Sequence, residues 1–146
     1  MKERINPYNM YCCYIGIPVA IIALMILNLS GYSNSMSGGF ILVVTVVANI
    51  NIRKLKLVPS RKYVAPILLY IVNIIFMILL PIFYSDISNG GVGESYFVYL
   101  GFLAFPLQIV MIIFFFISSS DIKKAYPSMK MDAKEAREKY RKEKSK

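Results

Sequence analysis

The chain has 146 residues, 57% of them apolar, and a formal net charge of +9. That length fits one domain, and the apolar share excludes an ordinary soluble one. Histidine and tryptophan are absent and the two cysteines are adjacent. The commonest general base, the commonest metal ligand and any disulfide framework are thereby excluded.

Residues 1–10 read as a short N-terminus carrying Lys2, Glu3 and Arg4. An apolar run then covers 11–29. A transmembrane helix needs roughly 20 such residues to cross about 30 Å of hydrocarbon, so this run is long enough to span. It exceeds a signal-peptide core, and no small-residue cleavage site follows it. Cys12 and Cys13 at its start are packing residues before they are palmitoylation sites. Gly16-x-x-x-Ala20 is a small-residue pair suited to close helix contact, and Pro18 is a candidate kink.

The second run, 39–52, is short. It is expected to borrow turns from Ser35–Gly38 and from Arg53–Leu57, with Arg53, Lys54 and Lys56 reaching toward headgroups. It carries Thr45 and Asn49, which share a face at i,i+4 spacing. The connection that follows holds Arg61 and Lys62. A third run covers 64–84, with Pro66 in its first turn, Asn73 near its middle and Pro81 near its end. The fourth, 96–117, carries Pro106 and Gln108. None of the four runs contains a charged residue.

Residues 118–146 form a basic tail that begins with Asp121, Lys123 and Lys124. Asp132 is placed to cap a helix, with Glu135 three residues on. Met129, Ala133, Ala136 and Tyr140 recur at helical spacing, and Glu135–Lys139 and Glu138–Lys142 are favourable i,i+4 pairs. A charged helix, solvated or lying on anionic lipid, is the expectation.

Charge placement sets the direction. All seventeen Lys and Arg residues fall in 1–10, in 53–62 or after 117, while the two remaining loops hold only Asp86 and Glu94. By the positive-inside rule both termini and the 53–63 connection are cytoplasmic. Tyr8, Tyr11, Tyr14 and Tyr63 then mark the inner interface, and Tyr84, Tyr96 and Tyr99 the outer one.

The expected fold is an all-α integral membrane protein of four transmembrane helices. They form two hairpins, N-in and C-in, in the plasma membrane, with a short charged C-terminal cytoplasmic helix. Candidate intramembrane polar contacts are Thr45, Asn49, Asn73 and Gln108. They serve as glue between helices or, alternatively, as an uncharged path for an ion or small solute. Arg53, Lys54, Lys56, Arg61, Lys62, Lys123 and Lys124 are candidate contacts to anionic headgroups. No catalytic, cofactor or metal constellation is present, since there is no Walker loop, dinucleotide fingerprint or HExxH. No nucleic-acid motif accompanies the basic charge.

The functional expectation is a non-catalytic accessory, scaffolding or immunity-like subunit of a membrane assembly, partnered by a larger membrane protein or by its own copies. The alternative is a small transporter or channel component, or a pore-forming lysis protein. One echo stands out: Y32-S-N-S-M-S-G-G39 returns as Y84-S-D-I-S-N-G-G91. The flanking runs align poorly, so the echo reads as two exposed turns of similar composition. It does not read as a duplicated hairpin.

Overall fold

The computed structural model describes residues 2–30, 35–91 and 100–144. Glu94, Tyr96, Tyr99 and the first three residues of the first echoed turn, Tyr32, Ser33 and Asn34, lie outside them.

Five helices account for most of the described chain: α1 Lys2–Leu29, α2 Ser35–Ile52, α3 Val64–Ser88, α4 Phe105–Ala125 and α5 Met129–Lys144. A 3-10 turn over Ser60–Tyr63 leads into α3, and a π turn over Leu100–Ala104 leads into α4. No strand occurs among the described residues. Three segments are long and apolar enough to cross a membrane: Pro7–Leu27, Ser60–Ser88 and Phe102–Ala125. Gly39–Ile52 is apolar but shorter.

Several boundaries differ from those read in the sequence. α1 begins nine residues before the expected span and continues through both Pro7 and Pro18. α2 gains its extra turns at one end only. It takes in Ser35–Gly38, but the chain leaves the helix after Ile52. Lys54 and Leu55 donate their backbone N–H groups to the Asn51 and Ile52 carbonyls, and Leu55 and Val58 turn into the core. Burying those two side chains competes with extending the helix, and the turn wins. Pro106 is the second residue of α4, which starts directly after the π turn. The widened π turn before it takes up the clash between a proline ring and the carbonyl four residues back.

α1 is the hub of the packing: it lies against α4, α2 and α5, while α3 leans on α4 and more lightly on α2. Each helix buries a single stripe. On α1 the stripe is Met10, Tyr14, Ile17 and Ile21; on α4 it is Met111, Phe115, Ser118 and Ile122. α2 contributes Thr45, Ala48 and Ile52, α3 contributes Ala65, Leu69 and Val72, and α5 contributes Met129, Ala133 and Ala136. The 3- and 4-residue steps are those of a helix face.

The small members of these stripes let backbones approach closely. Gly16 and Ala20 are not among them: both are exposed and line a cavity of about 170 Å³ between α1 and α2. The expected small-residue contact is therefore not made there.

The exterior of α1 to α4 and of the π turn before α4 is apolar, with Met77 78% and Phe102 83% exposed. Contiguous apolar surface on this scale is foreign to a soluble monomer and ordinary for helices whose outer faces meet lipid.

The tail is not simply solvated. α5 starts at Met129, and Asp132 sits inside its first turn, accepting a 2.9 Å hydrogen bond from the Ser128 hydroxyl. Met129, Ala133 and Ala136 are buried where α5 meets the bundle, while Tyr140 stands exposed beyond the end of that seam.

The echoed turns take different structures. Gly38 and Gly39 lie inside the first turns of α2. Gly90 lies beyond the end of α3 with φ +85°. There the N–H groups of Gly90 and Gly91 donate to the Ile87 and Asp86 carbonyls, a helix-ending motif that favours glycine. Equivalent glycines in non-equivalent places argue against a duplicated hairpin.

Candidate functional site

Polar side chains gather in two places. The first is the basic end of the bundle, where the 53–63 connection, α1 and α4 meet. Arg61 donates from Nε to Asp121 Oδ2 and from Nη2 to Asp121 Oδ1, both at 2.6 Å. Asp121 is 6% exposed and the Arg61 side chain 52%. The forked, charge-assisted geometry is the strong form of this contact. Asp121 lies one turn past the point where the sequence ends the fourth apolar run, because α4 continues to Ala125.

Beside it, Lys62 is 5% exposed. Burial works against an ammonium, and two contacts offset it. Nζ donates to the Leu55 carbonyl at 2.6 Å and sits 5.3 Å from the centre of the Tyr63 ring. The Tyr14 hydroxyl donates to the Lys62 carbonyl at 3.0 Å, and the Tyr14 ring meets Phe115 edge-on with centroids 5.3 Å apart. The connection, α1 and α4 are thus tied at one point.

Two of the seven expected headgroup contacts are consequently occupied inside the protein: Lys62 is buried, and Arg61 is held by Asp121. Arg53, Lys54, Lys56, Lys123 and Lys124 remain exposed. Sequence reading missed the clamp because both partners looked like loop charges.

The second place is a cavity of about 300 Å³ at mid-bundle, walled by apolar residues of all four long helices. Asn73 from α3 and Gln108 from α4 both line it. Asn73 Nδ2 already donates to the Leu69 carbonyl of its own helix at 2.8 Å. That leaves its Oδ1 and one N–H for a neighbour. The other two candidate polar residues do not join them. Thr45 is fully buried and donates to the Ile41 carbonyl at 2.8 Å. Asn49 donates to the Tyr70 hydroxyl at 3.4 Å, a long bond, and its Oδ1 is buried with no hydrogen-bond partner among the described residues. Of the four, only Asn49 makes a side-chain bond across helices among the described residues. The expected glue is thin, and the polar residues split between a cavity and local backbone bonds.

Among the described residues no group of three or more Asp, Glu or Cys side chains is placed to hold a metal ion. Cys12 is exposed and Cys13 half-buried, both as free thiols. No family model, no curated protein and no solved structure matches the chain.

Proposed function

We propose that this chain is a four-span plasma-membrane protein, N-in and C-in, acting as a non-catalytic accessory or scaffolding subunit, immunity-like in design, of a membrane assembly. The carrying observation is the built basic end set against a bundle that is apolar on every outer face. The clamp of Arg61 on Asp121, with Lys62 and Tyr14 beside it, gathers the 53–63 connection and α4 where the tail also begins. That grouping supports one cytoplasmic side for all of them. α2, about 27 Å long at 1.5 Å per residue, is nearly long enough to be the fourth span.

Such a molecule meets its partners through lipid-facing helix surfaces and its exposed basic end: the bilayer, anionic headgroups, and a larger membrane protein or further copies of itself. Two measurements test this. In a Cys12→Ala, Cys13→Ala background, Asn89→Cys should react with an impermeant thiol reagent on intact cells. Lys144→Cys should react only after permeabilisation. The reverse pattern rejects the orientation. Purification in mild detergent should bring down a partner in fixed stoichiometry. A lone monomer that moves a solute in liposomes rejects the accessory role.

The mid-bundle cavity favours a second reading, a small transporter or channel component. Asn73 and Gln108 would be its polar points, without Thr45 and Asn49. Asn73→Leu with Gln108→Leu should abolish flux in a folded protein; unchanged flux rejects it.

A further inference from the structure

Four cations of α5 stand on one stripe. Lys130, Lys134, Arg137 and Arg141 are spaced i, i+4, i+7 and i+11, which brings them within a narrow arc at 3.6 residues per turn. Asp132, Glu135 and Glu143 fall outside that arc. The stripe flanks the buried seam of Met129, Ala133 and Ala136, so docking of α5 sets it beside α1. A groove of about 330 Å³ results, lined by the four cations, Glu138, Ala133 and Tyr8 of α1. Arg137 lies over the Tyr8 ring, its guanidinium carbon 5.7 Å from the centroid. Stacking fixes the plane of the guanidinium and leaves its edge N–H groups for a forked contact to an anion.

We propose that this groove binds the phosphate headgroup of an anionic phospholipid from the adjoining leaflet. The inference rests on the membrane reading above and gives it a specific site. Charge argues for an anion, since four cations face one carboxylate; a zwitterionic headgroup would bring a cation of its own into the groove. Position argues for a lipid over free phosphate. Tyr8 is the second residue of the apolar segment Pro7–Leu27, so the groove opens where headgroups end and hydrocarbon begins.

The test uses the full chain in detergent, where both membrane faces are open and binding does not depend on orientation. Short-chain phosphatidic acid, short-chain phosphatidylcholine and inorganic phosphate are titrated separately. Phosphatidic acid should bind, and the other two should bind at least about ten-fold more weakly. Lys134→Gln with Arg137→Gln removes two cations near the surface, each good for about five-fold, and should weaken binding about ten-fold or more. Lys139→Gln with Lys142→Gln removes the same charge from the other flank of the helix and should change it little. Arg137→Lys, which keeps charge but loses the planar fork, should weaken binding a few-fold, and all variants should keep the parent's melting midpoint. Equal losses in the two double variants, or phosphatidylcholine bound as tightly, overturn the site. Inorganic phosphate bound as tightly overturns the lipid assignment. None of these outcomes touches the orientation, which cysteine labelling decides separately.

Discussion

Arg61 grips Asp121 through two 2.6 Å hydrogen bonds across sixty residues of chain, and the two partners are unequally exposed. The inequality predicts an unequal response to mutation. Arg61→Ala strands a carboxylate that is 6% exposed, whereas Asp121→Ala leaves a guanidinium that already reaches solvent. Removing the partner of a buried charge is the more damaging change. Arg61→Ala should therefore lower the thermal midpoint in detergent by several degrees, and Asp121→Ala by clearly less. Equal losses would mean that Asp121 finds another donor.

Lys62 should be chemically silent while its neighbours are not. Its ammonium is buried against the Leu55 carbonyl and the Tyr63 ring, whereas Lys54 and Lys56 are exposed. Brief treatment of the native protein with an amine-reactive reagent, read by mass spectrometry, should modify Lys54 and Lys56 and spare Lys62. Denaturation should abolish the difference. If all three react at the same rate, Lys62 is not held where this structure places it.

The positions of the long helices were legible in the sequence because apolar runs of this length have few other uses. Their inward faces were not. In a soluble helix the core stripe is apolar and the rest polar, so periodicity reveals it. Here Ile21 is buried while Val19 and Ile22 are exposed, and nothing in side-chain chemistry separates the three, since lipid is as apolar as leucine. The clamp was hidden for another reason: pairing Arg61 with Asp121 requires knowing that α4 runs past Ile117. The α5 seam is the opposite case. Met129, Ala133 and Ala136 showed their helical spacing in a charged background, though α1 as the surface they meet did not. The basic stripe beside that seam is equally regular in the sequence, but the acids interleaved along the tail mask it.

Small residues should also separate by position. Gly16 has nothing within 4 Å of where a Cβ would stand, while Ala48 is 2% exposed between packed helices. Gly16→Ala should be neutral or stabilise by about 0.5–1 kcal/mol, the ordinary gain of replacing glycine inside a helix. Ala48→Leu should destabilise by about 1–3 kcal/mol through overpacking. Unfolding in mixed detergent micelles measures both. A damaging Gly16→Ala would restore the close contact that the Gly16-x-x-x-Ala20 spacing suggests.

The echoed turns make the same kind of contrast across the two halves of the chain. Gly38, the counterpart of Gly90 in the echo, is helical, so Gly38→Ala should leave stability unchanged or raise it by up to about 1 kcal/mol. Gly90 holds φ +85° just beyond α3, where an L side chain is strained whatever space surrounds it; Gly90→Ala should cost about 1–2 kcal/mol. The loss should be local as well. With the bonds from Gly90 and Gly91 to Ile87 and Asp86 weakened, amide exchange should quicken over Ser85–Asn89 and not in α2. A true duplicate would respond alike at both glycines, so matching effects of the two substitutions would revive the repeated hairpin that the helix boundaries argue against.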